Sequence, residues 1–227
     1  EASGRSYPVD VSYKGAQVQS RGGARRESML WDKCASAVKD LVENDTAGHI
    51  LVFLPGVYEI RRTVELIERA GWSRSLQVCP LYSALSPEKQ DLAVLGNSDR
   101  RRVIVSTNVA ETSLTIDGVR AVVDSGVARI SEYDPVRGLD TLMVQKISRA
   151  AAEQRAGRAG RTGPGHCVRL WSETDHGRRD AFELPEVQRT DLSETVLQLK
   201  GRGVLNVQEF RWLECPKLSL IEHAETL

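Results

Sequence analysis

Short continuous apolar runs alternate along the chain with stretches that repeat at helical spacing. Residues 50–54 and 103–105 are unbroken apolar runs and 119–123 is apolar but for Arg120, the pattern of parallel strands covered on both faces. Residues 76–81 and 166–171 read as further strands, and 7–13 alternates apolar and polar side chains as a strand does. Between the runs, Leu30, Cys34, Ala37, Val38 and Leu41 recur at helical spacing, as do Val57, Ile60, Val64 and Ile67. Ser86-Pro87 predicts a helix start, a cap residue followed by proline at the first helical position. Strands alternating with helices predict an α/β fold, a parallel sheet with helices on both faces. Ligands of such sheets sit beyond the carboxyl ends of the strands. Pro55-Gly56, Ser106-Thr107-Asn108 and Asp124-Ser125-Gly126 fall there.

The rhythm breaks in three places. Residues 20–26 are a Gly/Arg-rich loop. Residues 130–133 and 142–146 form two extended arms around the turn signal Asp134-Pro135-Val136-Arg137-Gly138, which predicts a protruding β-hairpin. Residues 172–179 are polar and without periodicity, so the sheet domain is expected to end near Trp171. Beyond it, Asp191-Leu192-Ser193-Glu194 resembles a capping box, and Leu192, Val196 and Leu199 predict a helix ending at Gly201. This tail is too short for a core of its own and is expected to open a second, mostly helical domain. The expected division is 1–172 and 173–227.

Composition narrows the function. The 227 residues are 41% apolar and 27% charged, enough for a packed core. With 31 basic and 31 acidic side chains, no net charge draws the chain to nucleic acid or membrane, so any polyanion site must be a local patch. No run approaches the roughly 20 apolar residues of a membrane span, and no signal peptide opens the chain, so a cytoplasmic location is expected. Cys34, Cys79, Cys167 and Cys215 are widely spaced and read as small buried hydrophobes, not as disulfides or metal ligands. The chain opens on Glu1 and stops within a helical pattern, so it is expected to be a piece of something longer.

The stretch 154–161, Gln-Arg-Ala-Gly-Arg-Ala-Gly-Arg, carries the most chemistry. Read as a helix, it places Gln154, Arg158 and Arg161 on one face, spanning roughly 10 Å, about the length of a triphosphate. Two guanidiniums and an amide in line can grip terminal phosphate oxygens and orient an attacking water. Arg155 points about 100° away and is free for another task. Gly157 and Gly160 open room beside the arginines for a backbone or a ligand. A solvated basic face is the ordinary fate of an arginine run. Glycines costing about 1 kcal/mol each in a helix, and the lack of interleaved lysine and glutamate, favour the phosphate site. Arg100-Arg101-Arg102 is the densest basic cluster and reads as a solvated strand entry ahead of a phosphate contact.

Residues 154–161 match helicase motif VI of superfamily 2. Residues 107–115, Thr-Asn-Val-Ala-Glu-Thr-Ser-Leu-Thr, match motif V of the DEAH-box branch, and 51–56, Leu-Val-Phe-Leu-Pro-Gly, resembles motif IV. Pro80-Leu81-Tyr82-Ser83, Leu85-Ser86-Pro87 and Val123-Asp124-Ser125-Gly126 fill the gaps as in that branch. The Tyr133-Asp134-Pro135 turn and the run Arg169-Leu170-Trp171-Ser172-Glu173 are similar to bacterial HrpB-type ATP-dependent RNA helicases. The resemblance covers essentially the whole chain.

It implies the second of two RecA-like domains, then the start of a winged-helix domain from about Glu183. ATP would lie in the cleft shared with the first RecA-like domain, the expected partner, which would also hold Mg2+. Gln154 would orient the attacking water, and Arg158 and Arg161 would act as arginine fingers. Ser113 would respond to the γ-phosphate and Asp117 would lie near the ribose. Gly56, Thr107 and Asn108 would hold the backbone phosphates of single-stranded RNA, and the hairpin would guide or part strands. Read from the residues alone, Thr107-Asn108 suits a turn or helix cap equally. Asp117 suits a turn before Gly118, Ser113 a buried hydroxyl, and Glu111 a structural partner for a nearby arginine. Ala151 stands where the family usually has serine, and no aromatic for adenine stacking occurs near Val94-Leu95. The chain contains no Gly-Lys-Ser/Thr and no Asp-Glu-x-His, so alone it is not expected to hydrolyse ATP. Two other functions fit: a non-catalytic RNA-binding or scaffold module, and a DNA-directed helicase of the same superfamily.

Overall fold

The computed structural model describes residues 7–15, 29–96, 99–112, 114–135 and 137–226. The loop 20–26, Ser113 and Val136 lie outside them. In chain order the strands and helices are β1 (Val9–Tyr13), α1 (Leu30–Glu43), β2 (His49–Phe53), α2 (Val57–Glu68), β3 (Leu76–Leu81), α3 (Pro87–Val94), β4 (Arg101–Ser106), β5 (Val119–Asp124), β6 (Val127–Asp134), β7 (Leu139–Lys146), α4 (Arg149–Gly157), β8 (Gly165–Arg169), α5 (Glu173–Gly177), α6 (Ser193–Gly201) and α7 (Leu218–Thr226). The six expected strands pair in parallel in the order β1-β8-β5-β2-β4-β3.

Strand alternation decides how the core is split. Ile50 and Val52 of β2, with Val103, Val105, Ala121 and Val123, face one layer and meet Cys34 and Val38 of α1 and Ile60 and Ile67 of α2. Leu51 and Phe53, with Ile104, Val122 and Cys167, face the other layer and meet Ala93 of α3, Ala156 of α4 and Ala159. Each buried aliphatic contributes about 1.5–3 kcal/mol, so continuous apolar runs are what a doubly covered sheet requires. Cys34, Cys79 and Cys167 are buried, as expected, whereas Cys215 is exposed.

At the amino end of β4 the arginine cluster grades from exposed Arg100 through half-buried Arg101 to buried Arg102, all three bonded to backbone carbonyls. Arg102 is 5% exposed, and its Nη1 donates to the carbonyls of Ala93 and Val94, each at 2.9 Å. Those carbonyls belong to the last turn of α3, where helical partners run out. Arg101 Nε donates to Gly48 O at 2.7 Å, and Arg100 Nη2 to Arg74 O and Leu76 O, both at 2.6 Å.

Residues 172–179, polar and without periodicity in sequence, contain the short helix α5, whose first turn is capped by Ser172 Oγ accepting from Asp175 N at 3.1 Å. Arg179 is 8% exposed and donates to Gly126 O, Ile147 O and Asp175 Oδ2 at 2.7–3.1 Å.

The chain divides into two compact units. One comprises Glu1–Ala128 with Lys146–Phe182, the other Arg129–Gln145 with Glu183–Leu227. In the second, Leu192, Val196, Val207, Leu220, Ile221 and Ala224 form a buried apolar cluster, with Tyr133 of β6 packed against it. The tail therefore has a small core of its own, contrary to the expectation from its length, and the hairpin packs Tyr133 against it. Tyr133 N donates to Arg189 O at 2.7 Å, and Tyr133 Oη shares a hydrogen bond with His223 Nε2 of α7. The start of α6 also differs from the expected capping box. Leu192 is the cap residue, and Asp191 Oδ1 accepts from Ser193 N and Oγ at 3.2 and 2.7 Å.

Candidate functional site

The chain order reverses around β2. After β4 the chain crosses to β5 on the other side of β2, and in open α/β sheets such a reversal marks the ligand crevice. Hydrogen bonds continue past the strand ends. Leu54 N donates to Ser106 O at 2.8 Å, Thr107 N to Leu81 O at 3.2 Å and Ser125 N to Phe53 O at 3.2 Å. The loops beyond β2, β4 and β5 consequently emerge side by side. Gly56 is buried in extended conformation as the cap residue of α2. Thr107 is half-buried and caps the 3₁₀ turn Asn108–Ala110, its Oγ1 accepting from Val109 N at 3.5 Å. Asn108 is exposed. Asp117 is exposed in the turn before Gly118, whose φ of +78° favours glycine.

The stretch 154–161 departs from one continuous helical face. The helix α4 ends at Gly157 and tightens into a 3₁₀ turn, Arg158–Gly160, a common finish for a helix. Gln154 and Arg161 are exposed, whereas Arg158 is turned inward and only 8% exposed. Its Nη1 donates to Leu114 O at 2.8 Å and its Nη2 to Glu111 O. Arg161 Nη1 donates to Thr115 Oγ1 at 2.7 Å. The ladder of three groups on one exposed face is thus corrected to two exposed groups with an inward guanidinium between them. Burial and the neighbouring charge of Arg161 lower the pKa of Arg158, partly offset by Glu111.

Arg155 takes up the separate task left open for it. It is 1% exposed, and its Nε donates to Glu111 Oε2 at 2.8 Å. Its Nη1 donates to Asp124 Oδ1 at 2.9 Å and to Val127 O at 3.3 Å, and its Cζ lies 4.8 Å from the Phe53 ring centroid. Burial alone would lower its pKa, but the charges and hydrogen bonds of Asp124 and Glu111 outweigh it and the net shift is upward. Glu111 is therefore the structural partner expected of it. The part played by Asp124, Leu114 and Thr115 was not read from the sequence. Asp124 carried a signal, since a carboxylate that ends a buried apolar strand needs a buried cation.

The two glycines differ. A Cβ on Gly160 would lie 2.6 Å from Tyr7 O, and Tyr7 N donates to Gly160 O at 2.8 Å, so close backbone approach requires glycine there. A Cβ on Gly157 would meet nothing within 4 Å. Among the described residues no group of three or more His, Cys, Asp or Glu is placed to hold a metal ion, and no helix is long and apolar enough to cross a membrane.

Residues 33–163 match the model of the helicase conserved C-terminal domain. The chain is 38% identical over 216 residues to the ATP-dependent RNA helicase HrpA of Escherichia coli, an alignment covering 95% of this chain and 16% of that protein. It is 39% identical over 221 residues to the pre-mRNA-splicing factor ATP-dependent RNA helicase prp22 of Schizosaccharomyces pombe, covering 94% and 18%. The chain thus spans less than a fifth of these relatives. In structure it is similar to the Escherichia coli DEAH/RHA helicase HrpB, with a TM-score of 0.87 at 36% identity, covering 98% of this chain and 27% of that one.

Proposed function

The chain belongs to the helicase conserved C-terminal domain family, and on that premise we propose that it is the second RecA-like half of the motor of a cytoplasmic ATP-dependent RNA helicase. Residues 1–172 are its RecA-like part, and 173–227 the linker and opening of a winged-helix domain. ATP is taken between this surface and the first RecA-like domain of the same polypeptide. Gln154 orients the water that attacks the γ-phosphate in line. Arg161 and Arg158 neutralise charge on the equatorial oxygens as the bond to the leaving diphosphate breaks. Ser113 senses the γ-phosphate and Asp117 contacts the ribose. Gly56, Thr107 and Asn108 hold phosphates of single-stranded RNA, contacts that position the strand and carry no base information. Mg2+ would be held by the first RecA-like domain and would neutralise charge on the phosphates.

The observation that carries this reading is that residues 107–115 and 154–161 are joined by three arginines, Arg155 on Glu111, Arg158 on Leu114 and Arg161 on Thr115. For Arg158 to reach a phosphate it must leave the carbonyls of Glu111 and Leu114, exchanging two neutral acceptors for a charged one. The test is RNA-stimulated ATPase of the full-length protein, wild type against Arg158→Ala, with RNA affinity measured alongside. Turnover is expected to fall by roughly 10³ with affinity little changed. Equal turnover in the two proteins defeats the finger assignment. Absence of ATPase in the wild type defeats the enzyme in favour of a binding module. Stronger stimulation by DNA than by RNA changes the substrate.

A further inference from the structure

Glu111 is the one described residue held by two arginines of the 154–161 stretch through different groups. Its carboxylate takes Arg155 Nε at 2.8 Å and its backbone carbonyl takes Arg158 Nη2. It also closes the 3₁₀ turn Asn108–Ala110, its own N–H donating to Asn108 O at 2.9 Å. The start of that turn is fixed by Thr107 N on Leu81 O at 3.2 Å. Arg155 does not share the freedom of Arg158. Its guanidinium is also fastened to Asp124, whose side chain is fully buried at the end of β5.

We propose that Glu111 is a positioning residue that transmits the state of the Arg158 guanidinium to the turn carrying Thr107 and Asn108. Coupling between sites needs an element with two arrangements that both ligands bias. Arg158 supplies one: bonded to the carbonyls of Glu111 and Leu114, or withdrawn from them toward an anion. When it withdraws, residue 111 loses its backbone tether and keeps its carboxylate tether to Arg155. The segment can then pivot about a fixed point instead of drifting, and the adjoining turn moves by a defined amount. Without the Glu111 carboxylate, release of Arg158 leaves residue 111 held by neither arginine, and the turn no longer registers the change. The inference rests on the functional reading above, because it requires ATP at Arg158 and RNA at Thr107-Asn108.

The test uses the full-length protein with Glu111→Ala and Glu111→Gln, the second keeping an acceptor of the same reach. Both leave Arg155 paired with Asp124. Four quantities are measured: ATPase without RNA, ATPase at saturating RNA, RNA affinity and the melting temperature. Glu111→Ala is expected to reduce the stimulation by RNA roughly tenfold, with basal ATPase and RNA affinity close to wild type. Glu111→Gln is expected to recover most of the stimulation. Undiminished stimulation in Glu111→Ala overturns the proposal. So does a parallel fall of basal and stimulated rates with the melting temperature, which marks a purely structural side chain. A loss confined to RNA affinity makes Glu111 a binding residue and also overturns it. Wild-type protein with no ATPase removes the functional reading and this inference together, a result distinct from the other three.

Discussion

Two arginine triplets serve the same sheet, and they have different fates. At the amino end of β4, Arg100, Arg101 and Arg102 all donate to backbone carbonyls. In the 154–161 stretch, Arg155 neutralises two carboxylates, Arg158 rests on carbonyls that it could exchange for an anion, and Arg161 stands exposed on a hydroxyl. The density of positive charge is greater in the first cluster, yet the proposed chemistry is in the second. At Arg102, carbonyls that have run out of helical partners occupy a buried guanidinium. A graded set, one arginine locked, one exchangeable and one exposed, leaves charge available for a ligand.

Substitutions can break or sharpen this contrast. The largest stability effect is expected for Arg155→Ala, which leaves the buried Asp124 without a cation. The cost is about 3–5 kcal/mol, read as a fall in the denaturant midpoint. A loss as small as that of an ordinary surface arginine would show that the pair with Asp124 is not formed. Arg102→Ala strips donors from Ala93 O and Val94 O and removes a buried side chain. It should cost about 1–3 kcal/mol while leaving RNA-stimulated ATPase per folded molecule unchanged. If that variant slows ATPase as Arg158→Ala does, the two arginine clusters are not functionally distinct. The smallest effect is expected for Gly157→Ala, which meets open space. It should raise stability by about 0.4–1 kcal/mol and lower ATPase if that space admits a ligand or another domain. Higher stability with full activity would leave Gly157 without a role at the site.

The sheet was legible because burial on both faces favours near-continuous apolar runs, as at 50–54, 103–105 and 119–123. That the arginines of 154–161 make specific contacts was also legible, but their geometry was not. Counting by 3.6 residues assumes one continuous helical face, whereas the helix ends at Gly157 and Arg158 is buried against the carbonyls of Glu111 and Leu114. Helix α5 was missed for want of apolar periodicity, although Ser172 with Asp175 three residues on is a start signal of the kind recognised elsewhere. The core of the tail was missed because its buried members are spread from Leu192 to Ala224, mostly outside the one helical pattern read there, and Tyr133 joins them from a distant part of the sequence.

The bond between Tyr133 and His223 spans 90 positions, and this has a consequence for biosynthesis. On the ribosome the hairpin emerges long before α7, the helix its tyrosine binds. At roughly 5–20 residues per second the hairpin waits several seconds for that helix. During that interval the apolar residues Leu139, Leu142, Met143 and Val144 of β7, exposed even in the finished structure, belong to a ribbon whose native partner has not yet been translated.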